Sequence, residues 1–326
     1  MTAGEAAKQP RRRYAKIASS LAFSVVFGGT LLAGCKETPA SLLYISAANP
    51  GTVHVYTQSD QGLIPLGCIV GFQHPAGLAV DGTGKLYVAD QDANTVTVFE
   101  RGKSFPYETL TGAMHATGIT LDSVGSVYVT NGSETYIYVY RAGSPTPMPT
   151  PLSANGTGGL HGVAVDAAGN TFFAVRNTIQ EVPSGASTAL PSPIRSDLSD
   201  PRTIVFDSSQ NLVVSDAGLH TIFVYNSPYT NPTPLASFTN ANAQVDAIAL
   251  DQEHSALWLA DTHTGAVTKL NYPLGPAPTP VAVLPPSLGL VIGIAIDQGV
   301  IQSSNGAAHG SYAPCPTTTQ TASRRP

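Results

Sequence analysis

Charge is scarce in this chain. Only 11% of its 326 residues are Asp, Glu, Lys or Arg, and the formal net charge is −5. Five of the 16 basic residues but one of the 21 acidic ones lie in residues 1–34, so the remainder carries 11 against 20, a net charge of −9. A polyanion is bound by a basic face that displaces its counterions, so this balance argues against nucleic acid as a partner. Beyond the N-terminus no segment keeps a 3.6-residue apolar period, which argues against a helical core, and no further apolar run could span a bilayer. Cys-x-x-Cys, His-x-Glu-x-His, Gly-x-Ser-x-Gly, Gly-x-Gly-x-x-Gly and the phosphate-binding loop are all missing, and the eight histidines are scattered. No metal and no cofactor are therefore expected.

What is plentiful is turn chemistry: 31 Gly and 26 Pro punctuate many short apolar runs. The same phrase occurs six times, ending at Asp81, Asp122, Asp166, Asp207, Asp251 and Asp297, with spacings of 41, 44, 41, 44 and 46 residues. In each copy the residues one and three before the aspartate are large and apolar. The residue two before is usually small (Ala79, Thr120, Ala164, Ala249, Ala295), and four before stand Gly77, Gly118, Gly162, Thr203, Ala247 and Gly293. Alternate residues of a strand face opposite ways, so each copy is expected to stack on the next around an axis. A second strand follows, as in Leu86 to Asp90, and usually a third, as in Thr95 to Phe99. A period slightly above 40 residues with about four strands per unit marks propeller blades.

Pro75-Ala76-Gly77-Leu78-Ala79-Val80-Asp81 together with Leu86-Tyr87-Val88-Ala89-Asp90 resembles the NHL repeat, and the likeness decays over residues 42–304. It implies an all-β, six-bladed β-propeller over residues 42–315. The first strands, Leu42 to Ile45 and Val53 to Tyr56, match second and third blade strands without an innermost one, and Val291 to Asp297 supplies it. One blade is thus expected to close the ring by pairing N- and C-terminal strands, which removes two open edges. A strand at Val300 to Ser303 would raise the count to seven blades. Residues 316–326 read as a disordered tail.

The N-terminus has basic residues from Lys8 to Lys16, then an uncharged apolar stretch from Ile17 to Gly34, the layout of an export signal over residues 1–34. Leu32-Ala33-Gly34-Cys35 resembles the bacterial lipobox, which implies diacylglyceryl attachment at Cys35, a tether over residues 35–41 and an envelope lipoprotein held at a membrane. The alternative is an uncleaved helix with an ordinary cysteine. Arg11-Arg12-Arg13-Tyr14-Ala15-Lys16 also resembles the twin-arginine export motif, or is simply the positive charge of the signal. Lys36 after Cys35 suits outer-membrane sorting in a diderm host; in a monoderm the anchor would hold the outer face of the cell membrane. Two cysteines remain, Cys68 and Cys315. In an oxidising envelope they suggest a disulfide, and two buried free thiols are the other reading.

The repeated aspartates sit in turns such as Asp81-Gly82-Thr83-Gly84, where they would cap backbone amides, and Asp90, Asn131, Asp216 and Asp261 read likewise. The symmetry breaks five residues before each turn aspartate, where Ala76, Thr117, His161, Arg202, Asp246 and Ile292 stand. His161, Arg202 and Asp246 are the candidate ligand-binding residues at the mouth of the central channel; a local polar network stiffening the channel is the plainer explanation. His74 and His115 lie two residues earlier in their repeats. Pro-rich segments at 144–151, 228–234 and 273–280 read as stiff surface loops or partner-docking sites.

No catalytic residues are assigned. The leading expectation is a non-catalytic binding or scaffold propeller with an unknown protein or small-molecule ligand. The alternative is a metal-dependent enzyme resembling streptogramin lyases or the gluconolactonase family. The latter draws a metal-binding glutamate from an inner strand, and none of Glu37, Glu100, Glu108, Glu134, Glu181 and Glu253 occupies one.

Overall fold

The computed structural model describes residues 41–59, 62–241, 243–252, 255–284, 288–297 and 312–316. The signal at 1–34, the lipidated Cys35, most of the tether, the Val300 to Ser303 segment and the tail beyond Pro316 lie outside the described residues.

Among the described residues strands follow one another with no helix between them. After β1 (Leu42–Ala47), β2 (Thr52–Ser59) and β3 (Gly62–Val70) comes blade I, with β4 (Pro75–Val80), β5 (Leu86–Asp90), β6 (Thr95–Phe99) and β7 (Pro106–Thr111). Blade II holds β8 (Ala116–Leu121), β9 (Val127–Asn131), β10 (Tyr136–Tyr140) and β11 (Leu152–Ser153). Blade III holds β12 (Leu160–Val165), β13 (Thr171–Val175) and β14 (Thr178–Val182). Blade IV is β15 (Pro201–Phe206), β16 (Leu212–Asp216), β17 (Thr221–Tyr225) and β18 (Ala236–Thr239). Blade V is β19 (Val245–Asp251), β20 (Ala256–Asp261), β21 (Val267–Asn271) and β22 (Pro280–Leu284), and β23 (Val291–Asp297) is the last strand among the described residues. β23 pairs antiparallel with β1, from Leu42 opposite Asp297 to Ala47 opposite Val291, so blade VI runs β23-β1-β2-β3 and closes the ring. The described residues thus form six antiparallel sheets, a six-bladed β-propeller.

Middle strands are buried on both faces, as in Thr171-Phe172-Phe173-Ala174-Val175, because each sheet is sandwiched between two others. The core is accordingly distributed in layers between consecutive blades. Leu42, Tyr44 and Val53 of blade VI meet Leu78, Leu86 and Phe99 of blade I, and Trp258 of blade V meets Leu43 and Ile45 of blade VI. Near the axis the inner strands approach so closely that side chains are excluded. A Cβ on Gly118 would stand 2.3 Å from the His161 carbonyl oxygen, and one on Gly293 2.2 Å from that of Ala76.

Hydroxyls of the second strands also cross blade boundaries, and they alternate. The next-to-last residue of the second strand is Ser46, Ala89, Thr130, Ala174, Ser215 and Ala260 from blade VI round to blade V. Ser46 Oγ donates to the Ala76 carbonyl at 2.6 Å, Thr130 Oγ1 to that of His161 at 2.6 Å, and Ser215 Oγ to that of Asp246 at 3.4 Å. Every second boundary therefore carries a hydroxyl bridge from this second-strand position.

Blade III departs from the four-strand expectation. Pro183, Pro191 and Pro193 remove ladder donors after β14, and its outer edge is covered by an irregular segment bridged at Ile179 and Arg195. Arg195 is buried there, donating to the carbonyls of Tyr229 at 3.3 Å and Asn231 at 2.5 Å, with its guanidinium 4.1 Å above the Tyr225 ring. Cys68, on β3, is bonded to Cys315, which fastens residues 312–316 to the outside of blade VI.

Candidate functional site

Inner strands begin, and second strands end, on one face of the ring: Pro75 pairs with Asp90 and Ala116 with Asn131. This upper face therefore gathers the loops between blades and the turns after the second strands. The turn aspartates lie at the opposite end and are occupied by backbone. Asp81 Oδ1 accepts from the amides of Thr83 and Lys85, and Asp122, Asp166 and Asp207 repeat the pattern. Asp251 and Asp297 differ: the first accepts from Gln58 Nε2 and the second from Arg101. On the upper face Asp90, Asn131, Asp216 and Asp261 likewise accept backbone amides, such as Gln73 and His74 onto Asp90.

The axial cavity has a volume of about 420 Å³ and is walled by all six inner strands. Its lower part is mostly apolar, with Val80, Leu121, Val165, Phe206 and Leu250 beside Gln252; its upper part holds Thr117, His161, Arg202, Asp246 and Thr262. His161, Arg202 and Asp246 do converge there. Arg202 donates through Nη2 to Asp200 at 2.7 Å, and its Nε stands 3.7 Å from Asp246 Oδ1, too far for a hydrogen bond. That Nε is buried and has no hydrogen-bond partner among the described residues. Thr262 donates its hydroxyl to the other oxygen of Asp246.

Burial sets the protonation of this group. It raises the Asp246 carboxyl to about 6, against the pull of Arg202. It lowers His161 to about 4, with the Arg202 cation adding to the effect and Asp200 opposing it. At neutral pH the cavity top thus presents a neutral imidazole beside the Arg202 guanidinium, which contacts Asp200 and Asp246.

Asp200 and Thr262 belong to the site although the sequence did not single them out. Asp200 stands seven residues before Asp207, the phase already occupied by His74 and His115, and that alignment could have found it. Thr262 lies in the turn after β20, directly after Asp261, where the other repeats carry Gln91, Gly132 and Ala217. His74 and His115 sit on the upper rim outside the cavity wall, His74 with Nδ1 3.6 Å from Asp92. Five of the six described histidines, namely His74, His115, His161, His220 and His263, share this face. Among the described residues the upper cavity holds no group of three metal-capable side chains; the one such group is His54, Cys68 and Cys315.

An NHL repeat family model matches residues 72–99, from just before β4 to the end of β6. No curated protein matches the sequence. Among solved structures, a chain in the crystal structure of a nidogen/laminin complex aligns with a TM-score of 0.64 and 17% identity, over 78% of this chain and 98% of that one. Hydrazine synthase of Kuenenia stuttgartiensis aligns at 0.55 and 14%, over 71% and 73%. A streptogramin B lyase structure aligns at 0.48 and 17%, over 63% and 68%. For the two with TM-scores above 0.5 the likeness, at these identities, is one of fold.

Proposed function

We propose that this NHL-like propeller is the binding module of an envelope lipoprotein, anchored to a membrane through Cys35 and engaging a small polar ligand or a partner group at the upper mouth of its channel. The observation that carries the binding reading is the buried, unpartnered Nε of Arg202 at the top of the cavity. An orphaned donor in a buried site costs about 1–3 kcal/mol, a cost removed by an acceptor oxygen arriving from outside. The anchor is supported by Leu32-Ala33-Gly34-Cys35 at the end of an apolar segment. Photocrosslinking in the intact envelope tests the binding: a photoreactive residue at Leu219, on the upper face, should capture a partner that one at Val124, in a lower turn, does not. Equal capture from both positions overturns the reading. Radiolabelled palmitate should be incorporated by the wild type and not by Cys35→Ala.

A second reading, a metal-dependent lyase or lactonase-like hydrolase, draws support from His161 and Asp246. An imidazole kept neutral and a carboxyl raised toward neutrality could serve as base and acid in one cavity. It predicts a metal that copurifies with the chain and a thermal midpoint lowered by chelator. Absence of both sinks it.

A further inference from the structure

We propose that, once a dithiol has opened the Cys68–Cys315 disulfide, the two thiolates and His54 form a binding site for a thiophilic metal ion such as Zn²⁺. The three side chains come from three neighbouring segments of blade VI. His54 and Cys68 are direct cross-strand partners in the β2/β3 ladder, and Cys68 in turn bridges Ala313 antiparallel. Cys315 follows Ala313 by two residues and so returns to the same face.

The spacing suits one ion. His54 Nδ1 lies 3.4 Å from Cys68 Sγ, and one ligand atom from each of the three residues falls within 4.8 Å of the others. Two sulfurs bound to a single zinc at about 2.3 Å stand roughly 3.8 Å apart in a tetrahedral site. His54 Nε2 lies 3.3 Å from Thr52 Oγ1, so a proton on Nε2 donated to Thr52 fixes the ring and turns the Nδ1 lone pair toward the sulfurs.

The site does not depend on the disulfide to stay assembled. The Cys68 amide donates to the Ala313 carbonyl at 2.9 Å, and the Ala313 amide returns a bond at 3.2 Å. Tyr312 packs on the cluster containing Tyr44 and Val55. This close docking needs Gly67, because a Cβ there would stand 2.7 Å from Tyr312 Cβ. Reduction passes two electrons and two protons from the dithiol to the cystine; the dithiol becomes a disulfide and both cysteines become thiols. Metal binding then releases both thiol protons to solvent. Cys315 is only partly buried, which leaves the ion a path in and room for a water as fourth ligand. Disulfide and metal are thus alternative occupants of one place.

The test uses the full chain with Cys35→Ser, so that only this pair supplies thiols. It is reduced, freed of reductant without oxygen and titrated with Zn²⁺ against a chromophoric chelator. One Zn²⁺ should bind per reduced chain and none per oxidised chain, and Zn²⁺ should raise the thermal midpoint of the reduced form only. Co²⁺ in place of Zn²⁺ should give a thiolate-to-metal charge-transfer band. His54→Gln should weaken Zn²⁺ binding at least about tenfold and keep the band, whereas Cys315→Ser should diminish it. Failure of the reduced chain to take up Zn²⁺, whether folded or not, overturns the proposal. Uptake unchanged by both substitutions does so too.

Discussion

Arg101 and Asp297 join the blade that follows the ring's closure to the last strand that makes it. The Arg101 guanidinium, just beyond β6 of blade I, donates to the Asp297 carboxylate at 2.5 Å across 196 residues of sequence. Asp297 is 1% exposed, so its charge relies on protein partners. Taking the cation away from a buried pair typically costs 3–5 kcal/mol, and because Arg101 is 24% exposed the lower end applies. Arg101→Ala should therefore lower the unfolding free energy by about 3 kcal/mol, read from urea denaturation. A loss within error would show that the pair is merely a surface contact.

The alternating hydroxyl bridges give a second expectation. Thr130→Val keeps the volume but removes the donor to the His161 carbonyl, and should cost about 1–2 kcal/mol. Ala174→Val, at the equivalent place one blade on, removes no hydrogen bond, so any cost there comes from crowding. Denaturant midpoints of a series including Ser46→Ala and Ser215→Ala check whether all three bridges contribute.

Protonation at the channel mouth separates His161 from Asp246. A raised carboxyl contributes stability that is complete below its ordinary value of 3.8 and lost as pH rises through about 6. A lowered imidazole contributes stability that is complete above its ordinary value of 6.5 and lost as pH falls through about 4. Within that window the two oppose each other. Relative to wild type, His161→Asn should gain stability as pH falls from 6.5 to 4.5, and Asp246→Asn should lose it. Difference slopes of the same sign would contradict the assignment.

The disulfide spans 247 residues, so it restricts the unfolded chain strongly. Cys68→Ala with Cys315→Ala should lower stability by about 3 kcal/mol while leaving the β-sheet circular dichroism intact. Retention of the sheet signal matters here, because the strap has its own backbone bonds to β3.

The ring and its closure were legible in the sequence because a repeat imposes the same demand six times. Glycine at 77, 118, 162 and 293 reports inner strands too close for a side chain, and the turn aspartates report amides to be capped. The alternation of hydroxyl and alanine at the second strands was present in the same letters, but its meaning depends on which carbonyl lies across the boundary. The three-stranded sheet of blade III was not legible, since its edge is closed by Arg195, a residue with no repeat position. At the site, His161, Arg202 and Asp246 stood out by breaking symmetry. Thr262 did not, for its hydroxyl matters only through Asp246, which pairing in the folded blade brings to it. The His54 cluster has no spacing motif at all, because strand pairing alone unites positions 54, 68 and 315.

That β1 is partnered by β23 has a consequence for the order of events during synthesis. Until β23 has been synthesised, β1 offers a bare edge on its inner side. Blades I to V can form as they emerge, but the circle joins only after residue 297 is free. Any chain that stops short of that point keeps an open seam, a site for pairing with a second unfinished copy.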